Sequence, residues 1–371
     1  MLNSLKIQNF RGFRCLKIND LGAVNIVGGR NNAGKTSLLE AIALLLSGGN
    51  AAKALNPLIL RLPLHVAQNF RRYSRPYPSV SRDRLYDFRV LETFLEQLFH
   101  GQNLENAIEI GSAFARSEEK QESATLKIFL DKRPETVAFL DMDDAWSESQ
   151  FYNHMIKFEL TSSENDAPYE SSLWLEENKT RARDSAKPLF ASTLLKSRGS
   201  GDGSEYAQQL ADLRSRKKDQ VVLDALKIVE PRLKSVSDIS LTGNPLIVGD
   251  IGFDKLIPLA AMGDGMNQIA RVILKMVYAQ DGVALIDEVE NGFHYSIQEN
   301  VWKAIDEMAR QSNIQVFAAT HSRECVLAAH KAIEPERLRY HRLEQIDGEI
   351  RCRTYSPDIL KSAFKFNFEV R

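Results

Sequence analysis

The sequence predicts an α/β fold: a mixed sheet with an antiparallel lobe beside it and a helical insertion ahead of a second lobe. Three observations predict it. A β-branched run, Val24-Asn25-Ile26-Val27, enters a glycine-bearing loop, Gly29-Arg30-Asn31-Asn32-Ala33-Gly34-Lys35-Thr36, and leaves through Leu38, Leu39, Ile42 and Leu45 at helical spacing. Far downstream, the apolar Ala284-Leu285-Ile286 ends in Asp287-Glu288 and is followed by Thr320-His321-Ser322. Between them, four runs near 107–113, 124–130, 155–160 and 172–175 alternate as antiparallel strands do.

Taken in order, residues 5–10, 13–18 and 24–27 read as strands, with Arg11-Gly12 and Asp20-Leu21-Gly22 as turns. Residues 56–88 lose periodicity and gain Pro57, Pro63, Pro76 and Pro78, so they read as irregular chain before a helix at 91–98. The glycines and serines of 197–204 make a linker, and 205–233 reads helical with a polar break at 214–219. Ile269, Val272, Ile273, Met276 and Val277 mark one more helix face, which stops at Asp281-Gly282. The expected organisation is an N-terminal lobe over 1–180, a flexible loop and helical insertion over 181–235, and a C-terminal lobe over 236–371. Together they form one composite head.

The loop fits G-x-x-x-x-G-K-[ST]. Gly29 and Gly34 let the backbone N–H groups of Asn31, Asn32, Ala33 and Ser37 close on phosphates, Lys35 neutralises β and γ oxygens, and the Thr36 hydroxyl reaches Mg²⁺. The helix N-terminus adds partial positive charge. A strand ending in two carboxylates supplies one, Asp287, for the metal and a second, Glu288, to polarise water. A nucleoside triphosphate is thus the expected ligand, with ATP and Mg²⁺ as the pair to be held. Two glycine turns qualify for contact with a second subunit's nucleotide. Leu46-Ser47-Gly48-Gly49-Asn50 falls at a helix C-terminus, where the dipole is negative, and reads as a helix stop. Gly263-Asp264-Gly265 instead heads a helix; it is either a phosphate-sensing turn or an ordinary helix start.

Composition bounds the rest. With 371 residues and 43% hydrophobic content the chain can bury a sizeable core, and a formal charge of −1 argues against a generally basic nucleic-acid coat. Cys15, Cys325 and Cys352 form no C-x-x-C pair and read as reduced thiols, so a cytoplasmic setting is expected. No apolar run approaches ~20 residues, which argues against a membrane span.

The ordered set 5–13, 29–36, 263–265, 287–294 and 320–322 resembles the ABC-type AAA ATPases related to the OLD (overcoming lysogenization defect) family. The resemblance implies a P-loop NTPase of the ABC-ATPase head type that dimerises head to tail with ATP between subunits. It gives Lys35 the β/γ phosphates, Thr36 and Asp287 the Mg²⁺, Glu288 the role of base and His321 that of γ-phosphate sensor. Gly263, Asp264 and Gly265 would meet the partner's ATP, with Gly263 where many ABC proteins place a serine, and 290–294 would lie where ABC proteins have a dimer-contacting loop. Relatives often carry a C-terminal Toprim nuclease domain, for which the stretch after Ser322 is too short. A nuclease or toxin effector is therefore expected as a separate protein, in a setting similar to the Septu-type and retron-associated defence ATPases. The alternative is a RecF-like DNA-repair ATPase that clamps DNA.

Weaker signals point to nucleic acid. Arg61, Arg71, Arg72, Arg75, Arg82, Arg84 and Arg89 interleave with Phe70, Tyr73, Tyr77 and Tyr86, which suits DNA or RNA but equally a surface paired to Asp83 and Asp87. The basic runs 196–198 and 214–218 carry the same two readings. Asp141-Met142-Asp143-Asp144 reads as an acidic loop, and Gln68 is a candidate metal-contacting glutamine.

Overall fold

The computed structural model describes residues 1–48, 50, 93–115, 121–140, 146–163, 165–176, 179–183, 189–195, 203–241 and 244–365. The arginine and aromatic cluster of 61–89, Gln68, the acidic 141–144 and the basic 196–198 lie outside them, as does most of the glycine and serine linker.

The chain runs β1 (Ser4–Phe10), β2 (Phe13–Asn19), β3 (Val24–Gly28), α1 (Lys35–Leu46), β4 (Ile108–Ala115), β5 (Gln121–Leu140), β6 (Trp146–Ser162), β7 (Asn165–Glu176), β8 (Lys179–Arg183) and β9 (Ser192–Leu195). It continues through α2 (Gly203–Ser215), α3 (Gln220–Val229), β10 (Ser235–Leu241), β11 (Asn244–Asp250), β12 (Ile257–Pro258), α4 (Asp264–Tyr278) and β13 (Val283–Ile286). The last elements are α5 (Gln298–Gln311), β14 (Gln315–Ala319), α6 (Arg323–Ala332), β15 (Leu338–Ile346), β16 (Glu349–Tyr355) and α7 (Pro357–Lys365).

Three sheets result. A seven-stranded antiparallel sheet has the order β2-β1-β4-β5-β6-β7-β8, a small one β10-β11-β12, and a six-stranded mixed sheet β16-β15-β3-β14-β13-β9. In the mixed sheet β15, β3, β14, β13 and β9 are parallel, and β16 closes one edge antiparallel. Strands buried on both faces lack a polar–apolar alternation: β13 is an unbroken apolar run, and β3 and β14 are buried throughout with one polar residue each, Asn25 and Gln315. Alternate residues serve different cores. Val27, Val283, Leu285, Phe317 and Ala319 join α1 and the antiparallel sheet; Val24, Ile26, Ala284, Ile286, Val316 and Ala318 join α3, α4, α5 and α6.

Helix α1 lies between two sheets, and every residue from Leu38 to Leu46 is buried. That explains a helix apolar nearly all round rather than on one stripe. Its one buried carboxylate, Glu40, is paired with Arg11 of the β1–β2 turn at 3.2 Å, as a charge in such a place requires. The helix ends at Leu46, with Ser47 as C-cap and Gly48 in the left-handed region at φ 65°, so Gly48 terminates it as its sequence suggests.

Several elements exceed the sequence expectations. The β5–β6 hairpin reaches 121–140 and 146–162, well beyond the apolar alternation at 124–130 and 155–160. The expected helix over 205–233 is two helices, broken where Lys217 takes φ 57°. Within the segment expected to be loop and helices, 181–235, β9 pairs in parallel with β13 and forms part of the central sheet. Four residues are too few to show a period. The basic run at 214–218 is engaged locally: Arg214 contacts Asp238 at 3.1 Å and Arg216 contacts Asp212 at 2.9 Å. No helix among the described residues is long and apolar enough to cross a membrane.

Polar side chains join the two ends of the chain inside the core. The Gln315 amide donates to the carbonyls of Leu2 and Gly22 at 2.9 and 2.8 Å, and its oxygen accepts from the Leu2 N–H at 2.8 Å. His341 of β15 sits between Asn25 Oδ1 at 3.2 Å and Thr354 Oγ1 at 3.0 Å. Burial pushes its imidazole down to about 4 from the ordinary 6.5.

This shift generates a pH prediction. The folded value lies below the unfolded one, so the unfolded chain takes up the proton first as pH falls. The contribution is fully present above pH 6.5 and is lost between about 6.5 and about 4, by up to roughly 3 kcal/mol. Denaturant melts across that window should show a shallower loss of stability in His341→Gln than in the parent. Identical slopes would mean that His341 is not the titrating group.

Candidate nucleotide site

The candidate site residues stand at the carboxyl ends of three adjacent parallel strands. β3 delivers the loop that ends in Lys35 and Thr36, β13 delivers Asp287 and Glu288, and β14, between them, delivers His321. A crevice beyond strand carboxyl ends is where open α/β sheets place their ligands.

The loop is built around Gly34, which takes φ 92° as the N-cap of α1. A Cβ there would lie 2.9 Å from the Phe13 ring, so both conformation and space demand glycine. Arg30, Asn31 and Asn32 are exposed, Ala33 is buried, and Ser37 falls in the first turn of α1. Lys35 Nζ donates to the carbonyl oxygens of Gly29 at 2.7 Å and Arg30 at 2.9 Å, which folds its ammonium back over the loop. Partial burial lowers the lysine's pKa, and the nearby charges of Glu290, Asp287 and Glu288 oppose that shift.

Thr36 and Asp287, 251 positions apart in the chain, meet directly: Thr36 Oγ1 donates to Asp287 Oδ2 at 2.9 Å. One hydroxyl and one carboxylate oxygen converging on a point suit Mg²⁺, a hard cation that accepts few protein oxygens and completes its shell with phosphate and water. No cluster of three or more His, Cys, Asp or Glu able to hold a metal by itself occurs among the described residues.

Glu288 carries a backbone strain. Its φ is 50°, in the left-handed region that a non-glycine residue enters at a cost of about 1–3 kcal/mol. Flanking hydrogen bonds hold it there, from the Asp287 N–H to the Leu195 carbonyl at 2.8 Å and from the Val289 N–H to the Ala319 carbonyl at 3.0 Å. Asn291 Nδ2 donates to Glu288 Oε2 at 2.7 Å and orients the carboxylate.

Glu290, which the resemblance puts at the start of a dimer-contacting loop, is engaged within its own subunit. It is 91% buried, its Oε1 accepts from the His321 backbone N–H at 2.8 Å, and the same oxygen lies 2.7 Å from His321 Nδ1. The ring itself is half exposed at 52%. His321 is placed by its neighbours: the Thr320 N–H donates to the Val27 carbonyl at 3.0 Å, and Ser322 caps α6 by accepting from the Cys325 N–H at 3.1 Å. The third acidic residue of Asp287-Glu288-Val289-Glu290 is the available signal for Glu290. Nothing in the spacing says that its partner is His321.

The Gly263-Asp264-Gly265 turn opens α4, with Gly263 as N-cap at φ 117°. It packs on the segment after Glu288, since a Cβ on Gly265 would stand 3.0 Å from the Gly292 carbonyl oxygen and 3.4 Å from the Phe293 ring. Gly263 itself faces open space. The turn is therefore coupled to the 290–294 loop of its own subunit, while Lys35, Thr36, Asp287, Glu288, Glu290 and His321 form one connected group.

Comparison with known proteins agrees with this geometry. The AAA ATPase domain profile matches residues 1–193 and 154–326. An ATP/GTP phosphatase of Helicobacter pylori is 23% identical over 98% of both chains. The DNA replication and repair protein RecF of Heliobacterium modesticaldum is 43% identical over 49 residues, 13% of each protein. Among solved structures, an SMC head bound to the C-winged helix domain of ScpA covers 98% of the chain, and 99% of that chain, with a TM-score of 0.50 at 14% identity. The fold is thus the P-loop NTPase fold of ABC-type heads, and the chain belongs to the AAA ATPase domain family.

Proposed function

We propose that this chain is the ATP-hydrolysing subunit of a bacterial antiphage defence system, that two copies close around ATP, and that the cycle controls a separate effector such as a nuclease or toxin. The observation that carries the hydrolytic part is the 2.9 Å contact of Thr36 with Asp287, beside Lys35 and the Glu288 carboxylate. An ATP/GTP phosphatase similar along its whole length supports the same chemistry. The defence setting rests on the OLD-like motif set.

On this reading Lys35 exchanges its two carbonyl partners for β and γ phosphate oxygens, a stronger charge-assisted pairing. Thr36 and Asp287 would hold Mg²⁺, which neutralises charge developing on the phosphates. Glu288, aimed by Asn291, takes the proton of the water that attacks the γ-phosphorus; ADP leaves with the β–γ bridging oxygen. Glu290 fixes the His321 ring through Nδ1 and leaves Nε2 for a γ-phosphate oxygen.

Lys35→Ala should abolish nucleotide binding, read by fluorescent-nucleotide titration. Glu288→Gln should keep binding and slow hydrolysis by about 10²- to 10⁴-fold, the usual share of a positioned base. Parental turnover in Glu288→Gln would hand water activation to another residue.

The shared site is tested by mixing. If Gly263, Asp264 and Gly265 of one copy face the γ-phosphate on Lys35 of the other, a Lys35→Ala chain combined with a Gly265→Arg chain regains one intact site per heterodimer and part of the ATPase activity. The extra side chain in Gly265→Arg meets the Gly292 carbonyl, so its stability is checked alone. Absence of recovery in verified heterodimers counts against the model.

A second reading, ATP-dependent clamping of DNA, is favoured by the local likeness to RecF. One experiment separates the two. The gene with its flanking reading frames should lower phage plaquing, lose that effect with Lys35→Ala, and require a neighbouring frame; the purified chain should cut neither DNA nor RNA with Mg²⁺ or Mn²⁺. Tight ATP-dependent DNA binding without any effect on phage would select the repair reading.

A further inference from the structure

The turn between β1 and β2 lies under the phosphate loop, yet none of its residues belongs to the nucleotide site described above. Phe13 packs beneath Gly34, where a Cβ would meet its ring at 2.9 Å, and Gly12 lies against β16, where a Cβ would meet Ile350 Cδ1 at 2.8 Å. The turn is held in an unusual shape. Asn9 takes φ 54° and Arg11 φ 50°, a left-handed conformation that residues with a side chain seldom adopt. Neighbours from one segment fix both: the Arg11 N–H donates to the Leu98 carbonyl at 2.6 Å, the Arg11 carbonyl lies 2.9 Å from His100 Nδ1, and Asn9 Nδ2 donates to the carbonyls of Asn103 and Asn106 at 3.2 and 2.5 Å.

So placed, the Arg11 guanidinium lies over the Phe10 and Phe94 rings at 5.6 and 5.7 Å and reaches Glu40 at 3.2 Å. The Glu40 side chain is wholly buried. An ion pair in such a place adds little net stability, because desolvating both charges offsets most of their attraction, and two apolar residues would join helix and turn at least as firmly. What the pair does supply is a fixed geometry. Glu40 follows Thr36 by four residues, one helical turn along the same face of α1. Holding Glu40 therefore sets the rotation of α1 about its axis, and with it the Thr36 hydroxyl that meets Asp287 at 2.9 Å.

We propose that Arg11 is a positioning residue for the nucleotide site: through Glu40 it locks α1 in the rotation that aims Thr36 at Asp287. The strained turn and the segment 98–106 behind it form the seat of that lock. The inference rests on the phosphate-site reading above.

The test compares full-length variants by thermal melting, by titration of a fluorescent ATP analogue with and without Mg²⁺, and by ATP turnover. Arg11→Met combined with Glu40→Leu removes both charges together and leaves apolar groups of similar volume, so melting at or above the parental temperature is expected. Metal-free affinity should stay within twofold, because Lys35 and the loop amides supply it. The Mg²⁺ requirement should rise and kcat should fall, each by about ten- to a hundredfold, the scale of a group displaced by ~1 Å. Parental turnover and Mg²⁺ dependence in the folded double variant would show that the pair only packs and would overturn the proposal, while loss of binding in Lys35→Ala would leave the phosphate reading standing. An equal loss of metal-free binding would overturn it as well, by showing a collapsed loop. If the double variant melted below the parent, Glu40→Asp decides, since it keeps the charge and shortens its reach by one methylene: a raised Mg²⁺ requirement supports the positioning role and a parental one overturns it. Full nucleotide binding by Lys35→Ala would remove both readings together.

Discussion

Strand β3 hydrogen-bonds to β14 on one side and to β15 on the other, so residues 24–28 sit between segments from the far end of the chain. Everything functional is referred to that placement. The loop after β3 gains its position against Asp287 only because β14 spaces β13 one strand away, and His321 reaches the same crevice because β14 ends there. The inserted strand is secured by side chains as well as by its ladder. Asn25 donates to the Gly22 and Val316 carbonyls and accepts from Gly22, while Gln315 clasps Leu2 and Gly22. Each of these polar groups is buried and answered, which is the condition for a polar core to specify one arrangement.

The electrostatic consequence is concentrated on one cation. Lys35 stands among Asp287, Glu288 and Glu290, and its two hydrogen bonds to carbonyl oxygens satisfy it without neutralising any of them. On the proposed reading, a triphosphate enters a crevice with more negative than positive side chains among the described residues at its γ end, so the charge is balanced by what arrives with it and by the amides at the start of α1.

What the sequence reveals is what lies close together along the chain. The strand, loop and helix of residues 24–46 are contiguous, and Asp287-Glu288 ends a contiguous apolar run, so both can be read from types and spacing. The pairing of Thr36 with Asp287 follows from the chemistry that both motifs share. The left-handed Glu288 and the bond from Glu290 to His321 depend on parallel pairing between distant segments, which leaves no local period. Strand β9 escapes for a different reason, its brevity. The Asp347-Gly348 turn between two alternating runs does announce the β15–β16 hairpin, with φ of 52° and 81° in the structure, but not that β15 pairs in parallel with β3.

The insertion of β3 also fixes an order of events during synthesis. Its partners β14 and β15 are translated long after it, so a ribosome-bound chain that already displays the complete glycine loop still lacks both neighbours of the strand that anchors it. Sheets made from such remote pairings close slowly, because the loop entropy is lost before the contacts form. Apolar Val24, Ile26 and Val27 must therefore wait, exposed or covered by a chaperone, until residues beyond 338 emerge.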